Sequence, residues 1–306
     1  MIGLILVRLV QAALILLGVA ALTFVLLYAL PADPAVLLAG RNATPQIVAS
    51  IRHQLGLDQP LPIQFWHYLT GLLQGDLGRS FNQKTAVGPL IAARLPATLT
   101  LMAAGIAVEV VLGLTLGVIA ALKRGGFIDR CVMTASFVGV STPQFLVALL
   151  LLYVFAATLG WFPMSGYGTP AHLVLPALTL GVLGAGWYAR IVRSAMIDVL
   201  GQDYVRTANA KGLSATRVVL RHALPNALLP VIAMIGIDIG QFMGGTVVVE
   251  AVFGWPGIGQ LAWQAIQQVD IPIIMGVTLT SALAIVLGNL VADLLAPLID
   301  PRIRAA

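Results

Sequence analysis

Residues 9–30, LVQAALILLGVAALTFVLLYAL, form an uninterrupted run of 22 mostly apolar residues behind Arg8. As a helix such a run is long enough to cross the hydrocarbon core of a bilayer. A secretory signal has a shorter apolar core and a small-x-small cleavage site, and no such site precedes Pro31, so the run reads as a retained first transmembrane helix. The rest of the chain agrees: with 59% of 306 residues hydrophobic and 9% charged, no soluble core of this size could hide the apolar side chains. The single cysteine, Cys131, excludes an intramolecular disulfide framework.

Five more apolar stretches follow, giving an all-α membrane protein of six spans. They run over 97–122, from near Cys131 with an interruption at Ser141-Thr142-Pro143, over 173–192, over 228–249 and over 273–298. Pro143 removes a backbone donor, so the third span is expected to kink or break where protein or water takes up the freed carbonyl. The chain therefore divides into an N-terminal helix (1–30), an external, periplasmic segment (31–95) and a five-helix core (96–306) with one polar loop at 198–225. Within the external segment, Thr44-Pro45 opens a short helix and Pro60 or Pro62 another, whose Phe65, Trp66, Leu69, Leu72 and Leu73 share a face suited to a membrane interface.

Six spans put both termini on one side. Of the 17 lysines and arginines, twelve then lie inside, and the five outside all fall in the long external segment that the positive-inside rule weights least. The expected topology is N-in and C-in. The net charge of +5 is explained by this asymmetry, with the basic residues beside apolar spans, and not by a nucleic-acid partner.

Three acids, Glu109, Asp238 and Asp293, fall inside predicted spans, where an uncompensated charge costs at least about 2.5 kcal/mol. One reading makes them a proton or cation relay; the other makes each a paired or protonated group at a helix contact. Gly236, Gly240 and Gly244 recur every fourth residue in the fifth span, a smooth stripe for close helix packing or for the wall of a pathway. The four histidines are scattered without metal-site spacing, no G-x-S-x-G elbow occurs, and no G-x-x-x-x-G-K-[ST] loop is present. A metal site and catalysis have no support, and ATP chemistry would have to come from another chain.

The polar loop stands apart from everything else. Arg206, Lys211, Arg217, Arg221 and His222 make it basic, and Gly212 splits it into two short helical patterns, the second restarting at Ser214. It reads either as an ordinary basic inside loop or as a rigid knob for a partner's groove.

Resemblance separates these readings. Arg206-Thr207-Ala208, three residues, Gly212, nine residues and His222-Ala223-Leu224-Pro225 resemble the EAA loop of ABC importer permeases, with Arg206 in place of Glu, Thr207 of Ala and His222 of Ile. The longer DYVRTANAKGL and RHALPNALLP resemble the dipeptide and oligopeptide branch, as do QLGLDQPLPIQFWHYLTGLLQGDLGRSF (54–81) and VVEAVFGWPGIGQL (248–261). The resemblance implies a type I ABC importer permease in a bacterial inner membrane, whose loop residues Asp203, Tyr204, Thr207, Ala208, Ala210 and Gly212 engage an ATPase subunit. It also implies a second related permease, two ATPases that use ATP and magnesium, and an external binding protein. Peptide is the expected substrate, with glutathione or nickel complexes as alternatives. An ion-coupled carrier using the intramembrane acids, or a structural scaffold, would not need the loop.

Overall fold

The computed structural model describes residues 2–29, 34–40, 43–54 and 56–299. Among them the chain is helical apart from turns, loops and one isolated bridge between Arg79 and Ala86. The first helices are α1 (Ile2–Ala29), α2 (Pro34–Ala39), α3 (Pro45–Gln54), α4 (Leu61–Leu73), α5 (Val87–Leu122), α6 (Phe127–Ser141), α7 (Gln144–Leu151) and α8 (Pro170–Leu200). After them come α9 (Asp203–Ala210), α10 (Ala215–Val218), α11 (Leu224–Ala227), α12 (Leu229–Gly245), α13 (Val247–Phe253), α14 (Ile258–Gln268) and α15 (Ile271–Ile299). Contacts divide the chain into two compact units, Met1–Pro96 with Gly257–Leu283, and Ala97–Pro256 with Ala284–Ala306.

Four helices are long and apolar enough to cross a membrane, and six spans result if two bent pairs each count as one. The first pair, α6 with α7 and its π-helical extension Leu152–Thr158, bends by 104° at the expected interruption. Thr142 is extended there, as a residue before proline must be, and Pro143 sits at the head of α7 with φ −59°. The second bend, 49°, separates the segment ending at Ala227 from α12. Pro225 cannot donate to the helix, a π-helical turn spans Val219–Ala223, and the Asn226 side-chain amide donates to the His222 carbonyl at 2.9 Å. Two spans differ from expectation. The second begins at Val87, ten residues early, because Pro96 is accommodated inside α5, and the fourth extends to Leu200 as one 31-residue helix.

In the unit formed by Met1–Pro96 and Gly257–Leu283, α1 leaves Leu14, Leu22 and Val25 at least 60% exposed, as a lipid-facing helix does. Its Phe24 packs on Phe65 and Tyr68 of α4 with ring centroids 5.1 and 5.9 Å away. Ile271 and Met275 close the same cluster. Thr44 caps α3 by accepting the Ile47 N–H at 3.4 Å. The turn at 80–82 is tied down by Asp270, only 1% exposed, which accepts the Ser80 hydroxyl at 2.5 Å and the Phe81 and Asn82 N–H groups at 3.1 and 3.0 Å.

The unit formed by Ala97–Pro256 and Ala284–Ala306 is packed around α8. Backbones meet there through glycines. A Cβ at Gly117 of α5 would come within 2.7 Å of the Ala189 carbonyl and the Val192 side chain, and one at Gly186 within 2.7 Å of the Ser136 carbonyl on α6. At Gly113 the missing side chain makes room for Tyr188. Glu250, fully buried, accepts the Thr98 hydroxyl at 2.7 Å, and the Trp255 indole N–H donates to the Ala97 carbonyl at 2.9 Å.

Asp270 generates a test. Alanine in its place removes the acceptor of three donors, at about 1–3 kcal/mol for each donor that stays buried. We expect Asp270→Ala to unfold at lower temperature in detergent and to be cleaved sooner by protease near residues 80–82, with Asp270→Asn recovering part of the loss. Superimposable melting and cleavage curves would remove Asp270 from this role.

Candidate functional site

Two places in the second unit carry chemistry, the polar loop and a cavity bearing buried acids. In the loop, α9 ends in a left-handed turn at Gly212, φ +76°. The Gly212 N–H donates to the Asn209 carbonyl at 2.9 Å and the Leu213 N–H to the Ala208 carbonyl at 3.4 Å, the paired bonds of a Schellman cap. A side chain at 212 would meet open space, so glycine is required there by the dihedral and not by crowding. Ser214 occupies the N-cap position of α10 but makes no side-chain capping bond.

Val205, Ala208 and Val218 are buried together and pack against Val199 and Leu200 at the end of α8. Asp203, Tyr204, Thr207, Ala210 and Gly212 point outward and are exposed. Ala208, expected beside them on the engaging surface, is 5% exposed and serves instead to seat the helix on its own chain. Arg206 lies 3.7 Å from Asp203 along the exposed side.

The cavity has a volume of about 570 Å³ and is bordered by α5, α8, α12 and the break before α7. Glu109, 3% exposed, and Asp238, 8% exposed, both reach its wall. The Tyr188 hydroxyl donates to Asp238 Oδ2. Glu109 Oε1 lies against Gly184 of α8, where no side chain could fit, while Oε2 is buried without a hydrogen-bond partner among the described residues. The structure thus brings two of the three intramembrane acids to one cavity. The third, Asp293, lies on α15 with its side chain outside the described residues.

The α12 glycines meet different surroundings within this chain. Gly240 faces Ile285 of α15, where a Cβ would come within 3.3 Å, whereas Gly244 has open space beside it. The Gly236 carbonyl would lie 3.5 Å from a Cβ on Gly288. The closest helix approaches instead use Gly113 and Gly117 of α5 with Gly181, Gly184 and Gly186 of α8. Their small-residue spacing is present in the sequence.

One further pair was missed. Arg193 of α8 donates from Nε to Asp129 Oδ1 at 2.5 Å and from Nη2 to Oδ2 at 2.7 Å, and the Gly125 N–H also donates to Asp129, at 2.8 Å. This two-pronged contact clamps the basic 123–126 turn to α8. Arg190, a turn away, lies over the Phe137 and Trp187 rings at 4.9 and 4.4 Å.

A multi-pass helical bundle with acids at a cavity and an exposed, capped helix pair in one polar loop has the build of a membrane transport permease. The profile described as Binding-protein-dependent transport system inner membrane component matches residues 113–305, and its N-terminal counterpart, Binding-prot-dependent transport system membrane comp, N-term, matches residues 1–102. The chain belongs to this family of inner-membrane components, and it is a permease subunit of an ABC importer. Members of the family are transport subunits and not enzymes, and they work with a partner permease, ATPase subunits and a substrate-binding protein.

Among relatives, the glutathione transport system permease protein GsiC of Salmonella typhimurium (strain LT2) is 45% identical over 289 residues, 94% of each chain. GsiC of Escherichia coli (strain K12) is 44% identical over 286 residues, again 94% of each. The inward-facing MetNI methionine ABC transporter has the same fold in two crystal forms, with TM-scores of 0.57 and 0.59 at 21% and 19% identity, covering 69% of this chain and 96% of that one.

The contact between positions 184 and 109 can be tested directly. A methyl group at 184 would overlap the Glu109 carboxylate, so Gly184→Ala is expected to cost the purified permease about 1–3 kcal/mol in thermal unfolding. Adding Glu109→Ala should relieve most of that loss. Equal destabilisation in both backgrounds would mean that the two residues do not meet.

Proposed function

We propose that this permease forms half of the membrane pathway of an importer for small peptides, with glutathione, itself a tripeptide, as the substrate. The observation that carries this reading is the 45% identity, over 94% of both chains, to permeases named for glutathione transport. It refines the broader dipeptide and oligopeptide expectation. In the proposed assembly a second homologous permease completes the pathway, and an external binding protein delivers the substrate. Two ATPases hydrolyse magnesium-bound ATP on the side of the 198–225 loop, which is the inner side in the N-in, C-in arrangement.

The loop is proposed to seat in an ATPase through the outward residues of α9. Its Schellman cap at Gly212 and its anchoring by Val205 and Ala208 support a rigid element of fixed direction. A self-contained carrier would have no use for such an element.

Two variants separate the conformational requirement from the mere presence of a side chain. A residue other than glycine in the left-handed region costs about 1–2 kcal/mol, more if β-branched, whereas Asn is tolerated there. Gly212→Val is expected to insert normally but to lose copurification of the ATPase and ATP-driven uptake, while Gly212→Asn keeps both. In the reconstituted wild-type complex, a glutathione-loaded binding protein is expected to stimulate ATP hydrolysis and glutathione uptake. Stimulation by other peptides but not by glutathione would return the substrate to the wider peptide class, and uptake by the lone chain under an ion gradient would replace the importer reading.

A further inference from the structure

We infer that the cavity beside Glu109 and Asp238 is a subsite for the ammonium group of the substrate as it passes through this subunit. The inference rests on the peptide reading above, because a peptide's free α-amino group is the cation to be received.

Four observations lead to it. Glu109 is nine-tenths buried and more, it reaches the cavity wall, and its Oε2 has no partner among the described residues. A buried carboxylate oxygen without a donor is costly unless something else supplies one. Asp238 reaches the same cavity from a different helix, and the Tyr188 hydroxyl on one oxygen fixes its carboxylate in place. Finally, among the described residues the wall contains two acids but no lysine, arginine or histidine to neutralise them.

The remaining wall decides which cation. Among the described residues no three His, Cys, Asp or Glu side chains come together as a metal-ion site would bring them. An ammonium group needs three acceptors, which two carboxylates and a neighbouring amide or hydroxyl such as Gln241 or Thr142 can provide. Leu180, Ile237 and Phe242 line the rest, a surface suited to the body of an organic molecule. The volume of about 570 Å³ lies within the usual range for small-molecule sites. Gly184 completes the construction, since only a glycine leaves the Glu109 carboxylate its place against α8.

The test places a reporter in the cavity and needs neither ATP nor binding protein. In the full complex, Cys131→Ser removes the native thiol and Ile237→Cys, at a cavity position 58% exposed, introduces a new one. Alkylation of that thiol by a maleimide is timed with phenylalaninamide, which carries an ammonium group, or with N-acetylphenylalaninamide, which does not. Phenylalaninamide is expected to slow alkylation about ten-fold, as at about nine times its dissociation constant, at a concentration where the acetylated compound has no effect. Glu109→Gln and Asp238→Asn, which preserve shape, should each abolish the protection.

Equal protection by both compounds, or protection that survives in both amide variants, would overturn the inference. Relief of protection by sodium chloride but not by choline chloride would assign the cavity to a metal cation and overturn it too. Glutathione uptake by the same complex without the cysteine changes judges the substrate reading independently. Protection without glutathione uptake would leave the ammonium subsite standing and remove the substrate, and uptake without protection would do the reverse.

Discussion

Helices inside a bilayer gain nothing from hiding apolar surface from one another, because lipid is as apolar as leucine. What holds them is close packing. In this permease the tightest packing is the approach of α5 and α6 to α8, where glycines at 113, 117 and 186 bring backbone against backbone or against a side-chain root. Much follows from that approach. It fixes the direction of Tyr188, which is wholly buried beneath Gly113, and Tyr188 in turn holds Asp238. Gly184, on the same face region of α8, admits the Glu109 carboxylate. The acids are therefore positioned by missing side chains as much as by hydrogen bonds.

The second constraint is that every backbone polar group at membrane depth needs an internal partner. Among the described residues two helix pairs are bent at a break in an apolar span, and side chains bond to the backbone at each. Before α7 the Thr142 N–H turns back to the Gly139 carbonyl at 3.1 Å and its hydroxyl to Val138 at 2.7 Å. Near Pro225, Asn226 serves the His222 carbonyl. The first break places Thr142 and Gln144 on the cavity wall, so the irregular backbone stands where polar groups are of use.

Much of this was legible in the sequence, because apolar length and proline act locally. The six apolar stretches, the break at Pro143, the Thr44 cap and the glycine turn at 212 each depend on a few adjacent residues and the geometry they allow. Pairings across the chain were not legible. Nothing in the spacing of Asp129 and Arg193, or of Ser80 and Asp270, signals that they meet, since those contacts arise from how distant helices pack. The glycines illustrate the same limit. A regular stripe on α12 looks like a packing face, yet within this chain Gly240 meets Ile285 while Gly244 has open space beside it, and the closer approaches are at the glycines of α5 and α8. Periodicity reports which residues share a face, and the partner decides what the face is for. Residues 30–33 and 300–306 lie outside the described residues.

The loop and the cavity share their supports. Val205 and Ala208 rest on Val199 and Leu200 at the end of α8, and Met196, Val192 and Tyr188 continue the buried line back along that helix. On the other side, Val219, Ala223, Ala227 and Val231 lead from the loop into α12 within the same core, and α12 carries Asp238. On the α8 side, beyond the short turn at Gly201 and Gln202, a force that moved α9 would meet one continuous helix up to Tyr188 and its bond to Asp238. On the α12 side it would cross the 49° bend and the π-helical turn, the places where the helical hydrogen-bond ladder is irregular. One arm is thus stiff and the other jointed. A displacement of the loop would be carried by α8 as a rigid body and taken up in α12 as a change of angle, so the two walls of the cavity would move by different amounts. This asymmetry is what a subunit needs if an event at the loop is to loosen the grip of acids held on separate helices.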